Sequence, residues 1–472
     1  MTDRSRNPGK VLSLAPSPHD PLRIALLTYR GKKHCGGQGV YTRHLSKALT
    51  KLGHHVEVFS GPPYPELVDE VPLHELPSLE IYNDHFPMRF PAIWELRNWT
   101  DWVEVASFSS GTFPEPLAFS LRAWDQLKSR VDDFDIVQDN QSLGYGLLAI
   151  ERSGLPVLGT IHHPITVDRR LEMEHAETPY QRFSKSRWYA FTTMQSRVAQ
   201  RLTRILTVSE SSRGDIIADH GVDPDRLHVV PVGVDPETFL PVEGVAPVKG
   251  RVITTASADV AMKGLVYLLE AVAKLRTEDP DVHLVVIGKP KEEGRTARTL
   301  AELGLSDAVE FVSGVSEQRI VELYSESELA VVPSLYEGFS LPAIEAMSCG
   351  VCLVATTGGA IPEVVGADGD TALLVPPGDS EALAVALRRA LDDPELRARV
   401  GANGRQRIIE RWSWAVTAEK TVDEYRARLE MPTLSTQLPG LGRLPDLPDL
   451  PGLPGVADVG AALDGLRRRL PF

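Results

Sequence analysis

Short runs of apolar residues alternate with helical patterns along most of the chain. The run Arg23–Tyr29, RIALLTY, is typical of a strand that is buried on both faces of a parallel sheet. A glycine cluster follows it, and then apolar residues at helical spacing lead to a second apolar run, His55–Gly61. This order of strand, loop, helix and strand predicts the start of a doubly wound α/β sheet.

The same alternation occurs in two series. The first ends near Asp235 and the second begins near Arg251, while residues 236–250 have the proline and glycine content of a linker. We therefore predict two Rossmann-like doubly wound parallel-sheet domains, residues 22–235 and 251–410, that face a central cleft. Ligands of open α/β sheets bind beyond the carboxyl ends of the strands, so a ligand is expected in this cleft.

The two ends of the chain depart from this pattern. Residues 1–21 form a polar, proline-containing lead that we expect to be flexible. Residues 432–472 include a Leu-Pro-Gly or Leu-Pro-Asp repeat, which favours an extended or disordered tail.

The composition excludes several classes of protein. With 50 basic and 64 acidic residues the net charge is −14, so bulk electrostatics will not hold nucleic acid or an anionic membrane. Only three cysteines occur, which fits a reducing compartment, and no apolar run has the length of a membrane span or the form of a signal peptide. We expect a cytoplasmic protein without nucleic-acid partners.

Two glutamates frame a glycine-containing turn that opens a predicted helix in the segment SLYEGFSLPAIEAMSCG. These are Glu337 and Glu345; Ser340 can cap the helix, and Pro342 is tolerated in its first turn. Free amides at a helix start suit a diphosphate, and nearby carboxylates can accept hydrogen bonds from sugar and ribose hydroxyls. Spacing alone leaves a solvated acidic turn as the alternative.

Lys263 follows the first strand of the second series and precedes a helix, which places its ammonium at the same strand ends. A cation there would neutralise a leaving phosphate. The glycines Gly36, Gly37 and Gly39 precede the first helix, so backbone can closely approach a ligand from the opposite wall. A solvated surface lysine is the simpler interpretation of Lys263.

His162 ends an apolar strand, from which it could polarise a substrate hydroxyl in the cleft. A buried structural histidine is the alternative.

A dinucleotide-binding site is disfavoured because Thr42 stands where the third glycine of the dinucleotide-binding motif belongs. Cys349 and Cys352 have the spacing of a redox pair, but they lie between a helix and an apolar strand, which favours a packing role.

Together these motifs resemble those of a known family. In chain order they are GGQGVYTRHLSKAL, TIHH, LTVSESSRGDI, VVPVGVD, MKG, VPSLYEGFSLPAIEAMSCGV and GGAIPEVVG. Over roughly residues 22–430 the chain resembles the retaining GT-B glycosyltransferases of family four, the group 1 enzymes that act with nucleotide-sugar donors. The ending ERWSWAVTAEKTVDEY resembles the last helix of that family, which implies that residues 411–431 cross back onto the N-terminal domain.

The resemblance implies a role for each motif. His162 and Glu337 would lie beside the donor sugar, and Lys263 would contact the donor phosphates; these three form the implied catalytic set. Glu345 would bind ribose hydroxyls. The implied backbone contacts to the donor come from Gly36, Gly37, Gly338, Phe339, Ser340 and Leu341.

The implied activity is transfer of a hexose from a nucleoside diphosphate, of the UDP-glucose or GDP-mannose type, to an acceptor hydroxyl with retention and without a metal or cofactor. The family usually has an arginine where this chain has Ala258, five residues before Lys263. This departure motivates one alternative, a catalytically weakened nucleotide-sugar binding protein. A nucleotide-sugar epimerase of the same architecture is another.

The acceptor stays open among a small molecule, a glycan and a lipid headgroup. Basic and aromatic residues within 184–204 could contact lipid headgroups at the inner face of the membrane. A solvated basic helix is the simpler interpretation of that segment.

Overall fold

The computed structural model describes residues 20–31, 37–82, 89–174, 176, 178–256, 259–291 and 294–433. Most of the predicted lead and tail, together with Gly36 and Ala258, lies outside these ranges.

The first sheet has seven parallel strands in the order β3-β2-β1-β4-β5-β6-β7 among the described residues. These strands are β1 (Arg23–Thr28), β2 (His55–Ser60), β3 (Leu73–Glu75), β4 (Ile136–Asn140), β5 (Val157–Ile161), β6 (Ile205–Thr207) and β7 (Leu227–Val229). In the part of the chain that the structure describes, the second sheet has six parallel strands in the order β10-β9-β8-β11-β12-β13. They are β8 (Val248–Thr255), β9 (His283–Ile287), β10 (Val309–Val312), β11 (Ser327–Val332), β12 (Cys352–Thr356) and β13 (Leu373–Val375).

Helices connect the strands of both sheets. In the first half of the chain they are α1 (Gly37–Lys51), α2 (Trp99–Ser109), α3 (Glu115–Leu127), α4 (Gly146–Arg152), α5 (Ile165–Glu174), α6 (Pro179–Trp188), α7 (Phe191–Ala199) and α8 (Glu210–His220). In the second half they are α9 (Leu265–Arg276), α10 (Arg295–Leu303), α11 (Glu317–Ser325), α12 (Leu341–Ser348), α13 (Ile361–Val365), α14 (Ser380–Asp392), α15 (Pro394–Arg411) and α16 (Trp414–Leu429).

The central strands are buried on both faces because helices cover both sides of each sheet. Ile24 and Leu27, one on each face of β1, are fully buried, as are Leu284 and Val285 in β9. All strand pairs among the described residues of each sheet are parallel, so the carboxyl ends of the strands lie at one edge. The predicted α/β architecture with two Rossmann-like sheets is therefore confirmed.

The start of the second sheet differs from the sequence prediction. The apolar pattern predicted a strand from Arg251, whereas β8 begins at Val248, inside the expected linker. Val248 pairs with Ser327 of β11, and the backbone N–H of Gly250 donates to Glu328 at 2.6 Å. Val248 and Lys249 are exposed, so an apolar pattern could not reveal that their backbone belongs to the sheet.

The last helix, α16, packs on the first sheet. Arg428 and Glu151 form an ion pair whose side chains are both 0% exposed, and Arg428 Nε also donates to the Val157 carbonyl at 3.0 Å. Just before this helix, the carbonyl of Trp412 accepts a hydrogen bond of 2.7 Å from the N–H of Val234. These contacts tie the end of the chain to the first half.

Within the described ranges, no helix combines the length and the apolar character that crossing a bilayer requires.

Candidate active site

Lys263 and Glu337 meet at the carboxyl edge of the second sheet. Lys263 Nζ donates to the two carboxylate oxygens of Glu337 at 2.8 and 3.1 Å, and Ser334 Oγ donates to Oε1 at 2.6 Å. The Glu337 side chain is 11% exposed and that of Lys263 is 31% exposed. The ion pair is therefore partly buried, and Lys263 is the more accessible of the two side chains.

Glycine and a backbone hydrogen bond hold these two loops together. Lys263 ends a short 3-10 turn after β8, and Gly264 follows it with φ 65°. A Cβ on Gly264 would lie 2.0 Å from the carbonyl oxygen of Pro333, so only glycine permits this approach. The N–H of Leu335 donates to the Met262 carbonyl at 2.8 Å, which fixes the loop that leads to Glu337.

Gly338 is one of the points where the second half of the chain contacts the first. Its carbonyl accepts hydrogen bonds from Ser209 Oγ at 2.7 Å and Ser212 Oγ at 3.2 Å. A Cβ at Gly338 would lie 2.7 Å from the carbonyl oxygen of His162. His162 thus lies next to the Glu337 loop, across the boundary between the two halves.

Ser340 does not cap α12, so that expectation is wrong. Its backbone is in the left-handed region with φ 89°, and its side chain accepts no capping hydrogen bond. The Ser340 hydroxyl is buried without a partner among the described residues. Backbone strain of this kind is concentrated at ligand sites, and here it directly precedes the helix start at Leu341.

Phe339 and Leu341 lie on either side of Ser340 and have different surroundings. The Phe339 ring is buried and packs edge-on against the ring of Trp412, with 5.6 Å between their centroids. Leu341 is half-buried and is the first residue of α12. The free amides and positive dipole end of this helix lie directly after the Glu337 turn.

Glu345 lies in the second turn of α12 and is half-buried. Its carboxylate makes no hydrogen bond to another described residue. Burial, with a smaller contribution from the carboxylate of Glu317, raises the pKa of Glu345 to about 7. Glu317 itself has a lowered pKa because the His44 ring, whose Nε2 lies 3.8 Å from Oε1, and Arg43, which donates to Oε1 at 2.9 Å, favour the ionised carboxylate.

His162 follows β5 and is held in a polar environment. Its Nε2 lies 2.6 Å from Asn140 Oδ1, and its ring packs edge-on against that of Tyr41, with 4.4 Å between their centroids. Burial lowers the pKa of His162 to about 4, so the ring is neutral at physiological pH. His163 instead lies 3.1 Å from Asp168.

The remaining candidates have simpler surroundings. Gly37 is the exposed first residue of α1 with open space around it, Gly39 is buried, and Gly36 lies outside the described residues. The thiols of Cys349 and Cys352 are both buried, and burial raises the pKa of each, which agrees with a packing role. In the described ranges no group of three or more His, Cys, Asp or Glu residues could hold a metal ion.

The sequence did not reveal the contacts that join the two halves around this site. Ser209 and Ser212 lie in the motif LTVSESSRGDI, but spacing cannot indicate that their hydroxyls reach Gly338. Asn140 ends β4, and none of the motifs that carry the family resemblance includes it.

The family model described as Glycosyltransferase Family 4 matches residues 35–238, and that described as Glycosyl transferases group 1 matches residues 238–407. A relative from Mycolicibacterium hassiacum, named MMP alpha-(1->4)-mannosyltransferase, is 50% identical over 405 residues, which cover 86% of this chain and 98% of the relative. The chain belongs to the group 1 glycosyltransferases.

Solved structures place this glycosyltransferase in the GT-B fold. Sucrose-phosphate synthase from Thermosynechococcus elongatus superposes with a TM-score of 0.64 at 22% identity, covering 86% of this chain and 98% of that one. HepE from Anabaena, solved in complex with UDP-glucose, gives a TM-score of 0.62 at 16% identity, covering 86% and 99%. At these identities the likeness concerns the fold.

Proposed function

We propose that this glycosyltransferase transfers a mannosyl group from a nucleoside diphosphate mannose to an acceptor hydroxyl, with retention and formation of an α-(1→4) linkage. The observation that carries the proposal is the Lys263–Glu337 pair beside the strained start of α12. The mannosyl group and the linkage follow from the printed name of the 50% identical relative. The complex of HepE with UDP-glucose supports a nucleotide-sugar donor.

The donor diphosphate would bind between Lys263 and the amides that follow Glu337. A diphosphate attracts an ammonium more strongly than a single carboxylate does, so a bound donor would draw Lys263 Nζ away from Glu337. This would free Glu337 to accept hydrogen bonds from hydroxyls of the donor sugar. Glu345, which has no described hydrogen-bond partner, would accept those of the ribose.

Retention would follow from attack on the same face that the diphosphate leaves. The bond between the anomeric carbon and the phosphate oxygen breaks, the bond to the acceptor oxygen forms, and the acceptor proton passes to the leaving phosphate. Lys263 and the helix start would stabilise the negative charge that develops on that phosphate. No protein nucleophile takes part in this scheme.

The test is incubation of the full chain with a mannoside acceptor and either GDP-mannose or UDP-glucose, followed by NMR analysis of the product linkage. We expect an α-(1→4)-mannoside from GDP-mannose, and no product from Lys263→Ala or Glu337→Ala above a small residual rate. Lys420→Ala, an exposed lysine on α16, is the matched control. Rearrangement of free GDP-mannose, or binding without turnover, would contradict the proposal.

Contact with an anionic membrane is a separate proposal. Several of the basic residues that suggested it are engaged within the protein, since Lys185 pairs with Glu172 at 2.7 Å and Arg204 with Glu424 at 2.5 Å. Sedimentation with anionic vesicles at low salt tests the remaining attraction, and a protein that stays in the supernatant would end this proposal.

A further inference from the structure

Asn140 joins His162 to the start of α1. It is the last residue of β4, is 4% exposed, and lies between Thr28 of β1 and Thr160 of β5 in the sheet register. Its amide nitrogen lies 3.1 Å from the Gln38 carbonyl and 3.0 Å from Thr42 Oγ1. Its amide oxygen lies 2.6 Å from His162 Nε2.

The neighbours of Asn140 fix the orientation of its amide. The Gln38 carbonyl can only accept a hydrogen bond. Thr42 Oγ1 donates its single proton to that same carbonyl at 2.9 Å, so it can only accept from Asn140. Both groups therefore require the amide nitrogen, which leaves Oδ1 facing His162.

The orientation of Asn140 in turn fixes the proton on His162. Because Oδ1 can only accept, His162 Nε2 must carry the hydrogen. In a neutral imidazole the other nitrogen, Nδ1, is then the acceptor. Gln141, the residue after Asn140, holds the backbone of His162 and His163 in place. Its Oε1 accepts from the His162 N–H at 3.0 Å, and its Nε2 donates to the His163 carbonyl at 2.6 Å.

We propose that Asn140 is a positioning residue that holds His162 as the neutral Nε2–H tautomer, so that Nδ1 accepts a hydrogen bond from a hydroxyl of the donor sugar. This inference rests on the proposed function for the identity of the ligand, but the tautomer itself does not depend on it. The same amide connects the ring to the backbone of Gln38 at the start of α1, so ring and helix start are aligned by one side chain.

The first test is nitrogen-15 NMR of the full chain labelled at histidine, with His162→Gln assigning the signal. We expect the proton on Nε2 alone in the wild type and a mixture of both tautomers in Asn140→Ala. Asn403→Ala, which removes an exposed amide that bonds to Asp370, should leave the signal unchanged. A wild-type proton on Nδ1, or an unchanged tautomer in Asn140→Ala, would overturn the proposal.

Asn140→Asp covers the case in which Asn140→Ala does not fold. It is isosteric and keeps an acceptor beside His162, so we expect the Nε2 proton to remain. The carboxylate would raise the pH at which the ring takes up its second proton, since the other titratable ring packed against it, Tyr41, is neutral with a pKa raised by burial to about 12. An unchanged titration of His162 in Asn140→Asp would contradict the contact between residue 140 and the His162 ring.

The second test is kinetic. A misplaced ring removes an interaction of the transition state, so Asn140→Ala should lower kcat by up to about 100-fold. The donor KM should change by less than about threefold, because uniform binding is retained. A rise in KM with unchanged kcat would reject the positioning role. If no transfer occurs with any donor, the proposed function fails, whereas the NMR result still decides the tautomer.

Discussion

The carboxylate of Glu363 accepts hydrogen bonds from the backbone N–H of Glu210 at 3.0 and 3.1 Å, so a side chain of α13 caps the start of α8. The neighbouring N–H of Ser211 also reaches this carboxylate, at 3.4 Å. An anion at a helix N-terminus is favoured both by the free amides and by the helix dipole. The second half of the chain therefore completes a helix of the first.

Replacing Glu363 by alanine should loosen this contact. The loss of a capping carboxylate costs about 1 kcal/mol, which corresponds to roughly fivefold faster hydrogen exchange at the amides of Glu210 and Ser211. Mass spectrometry of exchanged peptides measures this rate. Glu419→Ala on the exposed face of α16 is the control, and equal exchange in both variants would contradict the capping role.

Removing Lys263 should affect turnover much more than folding. Its side chain is 31% exposed and supplies the cation beside Glu337, so Lys263→Ala should lower kcat/KM by roughly 100- to 1000-fold, or about 3 to 4 kcal/mol of transition-state stabilisation. Lys263→Arg keeps the charge but not the compact shape, so it should recover only part of the rate. A rate for Lys263→Ala close to wild type would remove this residue from the site.

Donor binding should depend on pH through Glu345. A raised pKa of about 7 means that the carboxylate is lost as the pH falls through 7. Since hydroxyls donate to the carboxylate, nucleoside diphosphate binding should weaken between pH 8 and 6. The titratable groups that interact electrostatically with Glu345 behave differently: Glu317 has a lowered pKa, and burial raises the pKa of Tyr324 and of Cys349.

Calorimetric titration with GDP at several pH values checks this dependence. Glu345→Gln should bind more weakly at pH 8 and show a flatter profile, because its amide does not ionise. Glu395→Gln, on the exposed first turn of α15, should keep the wild-type profile. A profile that keeps its slope in Glu345→Gln would assign the dependence to another group.

Breaking the buried pair of Arg428 and Glu151 should destabilise the protein strongly. Arg428→Ala leaves an unpaired buried carboxylate, which costs about 3 to 5 kcal/mol. Urea denaturation measures the loss, with the exposed Arg389→Ala as control. The double variant Arg428→Met with Glu151→Leu removes both charges and should recover most of the stability; a double variant as unstable as Arg428→Ala would reject this explanation.

Sequence patterns predicted the two sheets because fully buried strands produce continuous apolar runs. They did not predict α2 and α3, whose segment is rich in proline and aromatic residues and whose packing includes buried charges. Arg122, for example, pairs there with both Asp101 and Glu104. Such contacts depend on tertiary structure, which periodicity does not record.

The candidate site likewise contains residues that the sequence could predict and residues that it could not. Lys263, Glu337 and Glu345 could be predicted because they follow or flank elements with clear patterns. The unpartnered hydroxyl of Ser340 and the amide of Asn140 could not, because their significance lies in backbone strain and in contacts across the sheet. Residue spacing therefore predicts which side chains lie near the strand ends. The hydrogen bonds that orient those side chains can be identified only from the three-dimensional structure.

The position of α16 limits how this protein can be divided or recombined. A fragment cut at the linker would contain Glu151 and Gln138 without Arg428 and Tyr425, their buried partners from the far end of the chain. We expect that such a half does not fold by itself, although it contains all seven described strands of the first sheet. A chimaera that exchanges residues 22–235 between relatives would have to take α16 from the same parent, because this helix supplies buried partners to the first sheet.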